Sequence, residues 1–75
     1  MKKVFMSKEQ IMDEYGYGVD EYNEIFGEDI VGCFVYEGED TISLDLRNDG
    51  KFVYTEYRGR EVFNNVEEFE ESFLF

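Results

Sequence analysis

Apolar and polar positions alternate through the middle of this chain and recur at helical spacing near both ends. Ile30 to Tyr36 reads Ile-Val-Gly-Cys-Phe-Val-Tyr and is apolar on both alternating faces. Ile30, Phe34 and Tyr36 point one way on a strict alternation; Val31, Cys33 and Val35 point the other. Such a run predicts a strand covered on both sides. Thr41 to Leu46 alternates cleanly, with Ile42, Leu44 and Leu46 inward. Lys51 to Tyr57 places Phe52 and Tyr54 on one face and Val53, Thr55 and Tyr57 on the other. Glu37 to Asp40 separates the first two runs as an acidic turn. Asn48-Asp49-Gly50 separates the next two and predicts a type I turn with a glycine bulge. Arg58-Gly59 predicts another tight turn, with Glu61 to Phe63 as a short fourth strand. Connections this short imply an antiparallel meander.

The ends read differently. Lys2 to Met6 is a short edge strand or a loose arm. Ser7 with Gln10 three residues on is a capping box that opens a helix at Lys8. Ile11 and Tyr15 share one face of it, and Gly16 and Gly18 stop it. Asp20 is a fitting N-cap for a second helix, Glu21 to Phe26, with Tyr22, Ile25 and Phe26 on one side. Asn65 with Glu68 signals a third, over 66–74, in which Val66, Phe69 and Phe73 repeat at helical spacing. The apolar ending Phe73-Leu74-Phe75 calls for burial or an interface. The expectation is one α+β domain over 1–75: a three- to four-stranded antiparallel meander flanked by two short N-terminal helices and one C-terminal helix.

Composition narrows the chemistry. A domain of 75 residues with one Cys and no His has no intrachain disulfide, no Ser/His/Asp set and few zinc ligands. Eight Phe and six Tyr supply the core mass instead. Asp45, Asp49, Gly50 and Glu56 match four positions of an EF-hand calcium loop, but Arg47 stands where a ligand oxygen belongs. Alternating flanks favour the hairpin turn. Carboxylate pairs are too numerous for any one to mark a general acid. No enzyme activity, metal or cofactor is expected. The longest apolar run near the N-terminus, Val4-Phe5-Met6, is neither a signal core nor a span. A cytoplasmic protein without a membrane partner is expected, with Cys33 a reduced, buried thiol.

Charge changes the picture most. The net charge is −12. From Glu9 to Leu46 there are twelve acids and no base, and from Glu61 onward five acids and no base. Four of the seven bases lie within Arg47–Arg60, so most acids lack a neighbour in sequence to pair with. The rows are Glu9, Asp13 and Glu14; Asp20, Glu21, Glu24, Glu28 and Asp29; Glu37, Glu39 and Asp40; and Glu67, Glu68 and Glu71. Runs of acids are commonly solvated faces. Their segregation, and the company of Tyr15, Tyr17, Tyr22 and Tyr36, favours a contact surface, with Tyr17 and Tyr22 as its rings. Nucleic-acid-binding sites hold one negative charge per ~1.7 Å of duplex axis. Carboxylates at comparable density can occupy such a site in place of DNA or RNA.

In this composition the chain resembles the small acidic phage-encoded antagonists of host defence, the DNA mimics and some anti-CRISPR proteins. The resemblance implies a basic protein partner, a nucleic-acid-binding nuclease, and no direct contact with nucleic acid. A second likeness runs through the Asn48-Asp49-Gly50 hairpin and Asn65 to Phe73, which look like the tail of bacterial immunity domains that neutralise basic toxins. A third reading makes the aromatic C-terminal helix a homodimer contact.

Overall fold

Antiparallel pairing joins all five strands in the order of the chain. The computed structural model describes residues 2–73. The strands are β1 (Lys2–Ser7), β2 (Ile30–Glu37), β3 (Ile42–Arg47), β4 (Phe52–Glu56) and β5 (Gly59–Phe63). The sheet order is β1-β2-β3-β4-β5. The helices are α1 (Lys8–Tyr15), α2 (Val19–Ile25) and α3 (Val66–Phe73). The fold is therefore α+β, with one strand more than the alternation alone indicates. Lys2–Ser7 is a full edge strand because every one of its residues has a partner in β2, from Lys2↔Glu37 to Ser7↔Gly32.

The two faces of the sheet carry separate cores. Leu44, Tyr36 and Phe63 pack with Phe69 of α3 on one face. On the other, Cys33 and Ile30 pack with Ile11 of α1 and Tyr22 of α2. Strict alternation puts Ile30 beside Phe34 and Tyr36, and the structure corrects this. The β2–β3 register shifts between Ile30 and Gly32, so Val31 is an extra residue that moves Ile30 to the Cys33 face. Val31 is left exposed.

Local chemistry sets the element ends. Ser7 Oγ accepts from the Gln10 N–H (3.2 Å), and Gln10 Oε1 accepts from the Ser7 N–H (2.8 Å). In α2 the N-cap is Gly18 rather than Asp20, because Glu21 Oε1 reaches back to accept the Gly18 N–H at 3.3 Å. That start leaves Ile25 exposed (57 %) while Phe26, just past the helix, stacks on Tyr22 at 4.7 Å. Asn65 Oδ1 caps α3 by accepting from the Glu68 N–H, and the Glu68 carboxylate accepts from the Asn64 N–H, each at 2.9 Å. The β3–β4 loop closes with the Gly50 N–H on the Arg47 carbonyl and Gly50 at φ 87°, a backbone region that glycine tolerates best. Asp49 there accepts from the Arg47 guanidinium and from the Lys51 N–H. The β4–β5 turn falls at Tyr57-Arg58, one residue earlier than the glycine suggests, and Tyr57 stands 98 % exposed at its tip. Phe73 stacks on Phe69 and packs against Tyr54; Leu74 and Phe75 lie outside the described residues.

One glycine is required by close approach. A Cβ on Gly32 would lie 2.7 Å from Phe5 Cζ and 2.8 Å from the Met6 carbonyl oxygen. The ring can swing aside, but the carbonyl belongs to the neighbouring strand. Gly32→Ala is expected to destabilise by about 1–3 kcal/mol, as overpacking does. Urea denaturation checks it; an unchanged midpoint would show that β1 moves away freely.

Candidate partner-binding face

Helix α1 leaves β1 at Ser7 and lies against β1 and β2. This brings its acids to the N-terminal end of β1, where Lys2 pairs with Glu37 at the end of β2. Asp13, Glu14 and Glu37 consequently border one groove, floored by Val4, Phe5 and Met6. A second groove lies on the other flank of α1, bordered by Glu9, Asp13 and Tyr17 and closed by Gly16 and Gly18. Asp13 belongs to both. Glu21 lies next to the second groove, accepting from the Gly18 N–H. Four carboxylates from α1 and the end of β2, namely Glu9, Asp13, Glu14 and Glu37, thus line two grooves that share Asp13, with Glu21 beside the second, and neither groove is lined by a Lys or Arg.

Of the nearby bases, Lys2 is exposed opposite Glu37 at the edge of this group of acids, whereas Lys3 and Lys8 are engaged elsewhere. Lys3 Nζ meets Glu70 Oε2 at 3.0 Å and sits over the Phe34 ring. Lys8 Nζ lies 5.1 Å from the Tyr22 ring centroid. Glu70 also accepts from the Tyr36 hydroxyl at 2.9 Å. These contacts, Lys3 first and Tyr36 second, hold the Glu70 carboxyl below its usual range. Glu70 ties edge strand, sheet and α3 together, a role the helical spacing does not mark.

The remaining acids divide. Glu39 and Asp40 continue from Glu37 along the hairpin and are exposed. Asp20 and Glu24 are exposed on α2. Glu28 and Asp29 lie at the opposite end of the sheet, where the Asp29 carbonyl accepts from the Asn48 N–H beside the β3–β4 loop. Glu67, Glu68 and Glu71 belong to α3, on the other face of the sheet, and the Glu68 carboxylate is committed to the cap. Tyr22 is not a surface ring. It is 0 % exposed, and its hydroxyl donates to the Ile30 carbonyl at 3.0 Å, so it belongs to the core. Tyr17 is half-buried at the rim and stacks on Tyr15, with centroids 5.7 Å apart and planes at 23°.

Behind that tyrosine pair lies a cavity of about 150 Å³. Met6, Ile11, Phe26, Cys33 and Val35 line it together with Tyr15, Tyr17 and Ser43 of β3. Burial, and then the neighbouring Asp45 carboxylate, push the Cys33 thiol up, so it is an unreactive wall rather than a nucleophile. Asp45 stands opposite Cys33 on the same face; its carboxyl is raised by burial and partly restored by Arg60.

Neither a protein-family model, nor a curated protein, nor a solved structure matches this chain. Among the described residues no helix is long and apolar enough to cross a membrane. Nor do three or more potential ligand side chains gather there to hold a metal ion. The Asp49 carboxylate of the EF-hand-like stretch is bound instead by the Arg47 guanidinium, and secondarily by the Lys51 N–H, which lower its pKa to about 2.

Proposed function

We propose that this protein is an acidic inhibitor that docks the α1–hairpin face on the basic nucleic-acid-binding surface of another protein, a bacterial defence nuclease being the class of target. The observation that carries this reading is the gathering of Glu9, Asp13, Glu14 and Glu37 around two adjoining grooves that no base lines, with Glu21 beside them. Carboxylates fixed on a helix and a hairpin present a one-sign field to a partner evolved to hold phosphates. Docking releases the partner's counterions much as nucleic acid does, so the two compete. Association is fast and salt-sensitive. The acids of α3 and the pair Glu28-Asp29 lie apart from the band and are solubilising charge.

Immobilised protein is expected to capture a basic nuclease from bacterial lysate and to release it at about 0.5 M salt, where screening is nearly complete. Duplex DNA or RNA is expected to displace it. The triple reversal Asp13→Lys, Glu14→Lys, Glu37→Lys is expected to lower affinity by more than tenfold, while reversal of Glu67 and Glu71, which leaves the Glu68 cap in place, keeps it within about threefold, since screened charges outside the contact add little. Capture indifferent to nucleic acid and to the triple reversal would sink the reading.

A further inference from the structure

We propose that Asp49-Gly50 is a latent isomerisation site and that the side chain of Arg47 keeps it closed while the protein is folded. Of the Asp and Asn residues in the chain only Asp49 precedes a glycine. A glycine nitrogen can attack the preceding carboxyl because no Cβ hinders the approach. Water alone balances the reaction. The Gly50 nitrogen bonds to Asp49 Cγ, and its proton leaves with the carboxyl hydroxyl as water. The five-membered imide then takes water back. Addition at Cγ restores aspartate. Addition at the main-chain carbonyl breaks the original peptide bond and leaves the chain running through Cβ and Cγ, at unchanged mass.

Space does not guard this site. Asp49 and Gly50 are exposed, and a Cβ built on Gly50 would meet nothing within 4 Å. Protection has to come from bonding, and both reacting groups are bound. The Gly50 N–H donates to the Arg47 carbonyl at 3.0 Å. Asp49 Oδ2 accepts from Arg47 Nη2 at 2.6 Å, and Arg47 Nε lies 3.0 Å from each carboxylate oxygen. Oδ1 also accepts from the Lys51 N–H at 3.0 Å. The carboxyl cannot turn toward the Gly50 nitrogen without giving up these bonds. They also favour the carboxylate over the neutral acid that loses hydroxyl, holding its pKa at about 2. Isolated surface ion pairs contribute little, but a forked guanidinium on a carboxylate is the geometry that holds.

The same turn closes β3 on β4. The Arg47 N–H donates to the Lys51 carbonyl at 2.8 Å, next to the Leu46↔Phe52 pair. A main chain one carbon longer puts these bonds out of step. Time spent unfolded is thereby converted into a lasting weakness of the β3–β4 seam.

The test incubates the wild-type protein at mildly acidic pH, folded in buffer and unfolded in concentrated urea. A glutamate-specific protease then releases the 40–56 peptide, and chromatography separates its isoaspartyl form at unchanged mass. The folded protein is expected to isomerise at least about tenfold more slowly than the unfolded chain, as a lowered carboxyl pKa at an exposed site implies. Equal rates would overturn the proposal, and this comparison depends on no variant. Arg47→Gln removes the charge and the fork while circular dichroism checks the fold. Its folded-state rate is expected to exceed that of wild type by at least about fivefold, with Arg47→Lys between the two. An Arg47→Gln protein that isomerises as slowly as wild type would overturn the role of the guanidinium. The purified isomer is expected to unfold at a lower urea concentration than its parent; an equal midpoint would overturn the link to the seam.

Discussion

Phe69→Ala is expected to leave the protein largely unfolded at room temperature. Phe69 is 0 % exposed and lies at the centre of an aromatic cluster, with ring centroids 5.1 to 5.6 Å from those of Phe73, Tyr54, Phe63 and Tyr36. Truncating a buried Phe costs about 3–5 kcal/mol in transfer and cavity terms. A single core of this size supplies only about 3–5 kcal/mol of net stability. The loss therefore matches the whole margin. Its reach is wide because α3 has little else to hold it: Val66, the Glu70 clamp and the half-exposed Phe73. Once α3 lifts, Tyr36, Leu44 and Phe63 lose their cover. Circular dichroism and urea titration provide the measurement, with Phe73→Ala as comparison, where a partly exposed ring should cost less. A Phe69→Ala protein that melts cooperatively within a few degrees of wild type would mean that α3 is peripheral to stability.

Alternation and spacing made much of this fold legible. The Leu44 and Val53 faces follow directly from period two, and Val66, Phe69 and Phe73 from helical spacing, because both signals are local. What stayed hidden depends on partners distant in sequence. Lys2–Ser7 is too short and mixed to declare itself, yet β2 pairs with all of it. Ile30 changes face because of a single extra residue, which leaves no mark in hydropathy. Two residues near the start of α2 were able to cap it, and the reach of Glu21 decided for Gly18. Tyr22 looked like a contact ring because tyrosine serves both surfaces and cores; the free Ile30 carbonyl beneath it settled the matter. For the candidate face, the acidic rows were visible, but not which rows meet. Asp13, Glu14 and Glu37 come together only through the return of α1 along the sheet and the Lys2↔Glu37 register. The cavity draws walls from five elements or their flanks, which no local pattern reports.

Raising the pH through 10 to 12 is the second large effect, and two buried phenols produce it. Desolvation pushes the Tyr22 hydroxyl from 10.0 to about 12, with Cys33, Asp45 and Glu9 adding smaller repulsions. Tyr36 is raised too, by burial first and then by its hydrogen bond to Glu70, which holds the proton in place. In both cases the folded state keeps a proton that the unfolded chain gives up. Stability is therefore fully present below the unfolded pKa near 10 and is lost as pH rises toward the folded value. Each unit of difference is worth about 1.4 kcal/mol, so Tyr22 alone removes about 2–3 kcal/mol by pH 12. Tyr36 adds to this, and a margin of about 3–5 kcal/mol is then nearly spent. Unfolding by urea at a series of pH values should show a flat midpoint up to about pH 10 and a steep fall above it. Tyr22→Phe is expected to start lower, because the Ile30 carbonyl loses its donor at a cost of about 1–3 kcal/mol, and to fall less steeply above pH 10. Tyrosinate absorbance supplies the independent reading: two of the six tyrosines should ionise only as the fold is lost. If all the phenols titrated together near pH 10 while near-ultraviolet dichroism held, then neither Tyr22 nor Tyr36 would be shielded as the packing requires.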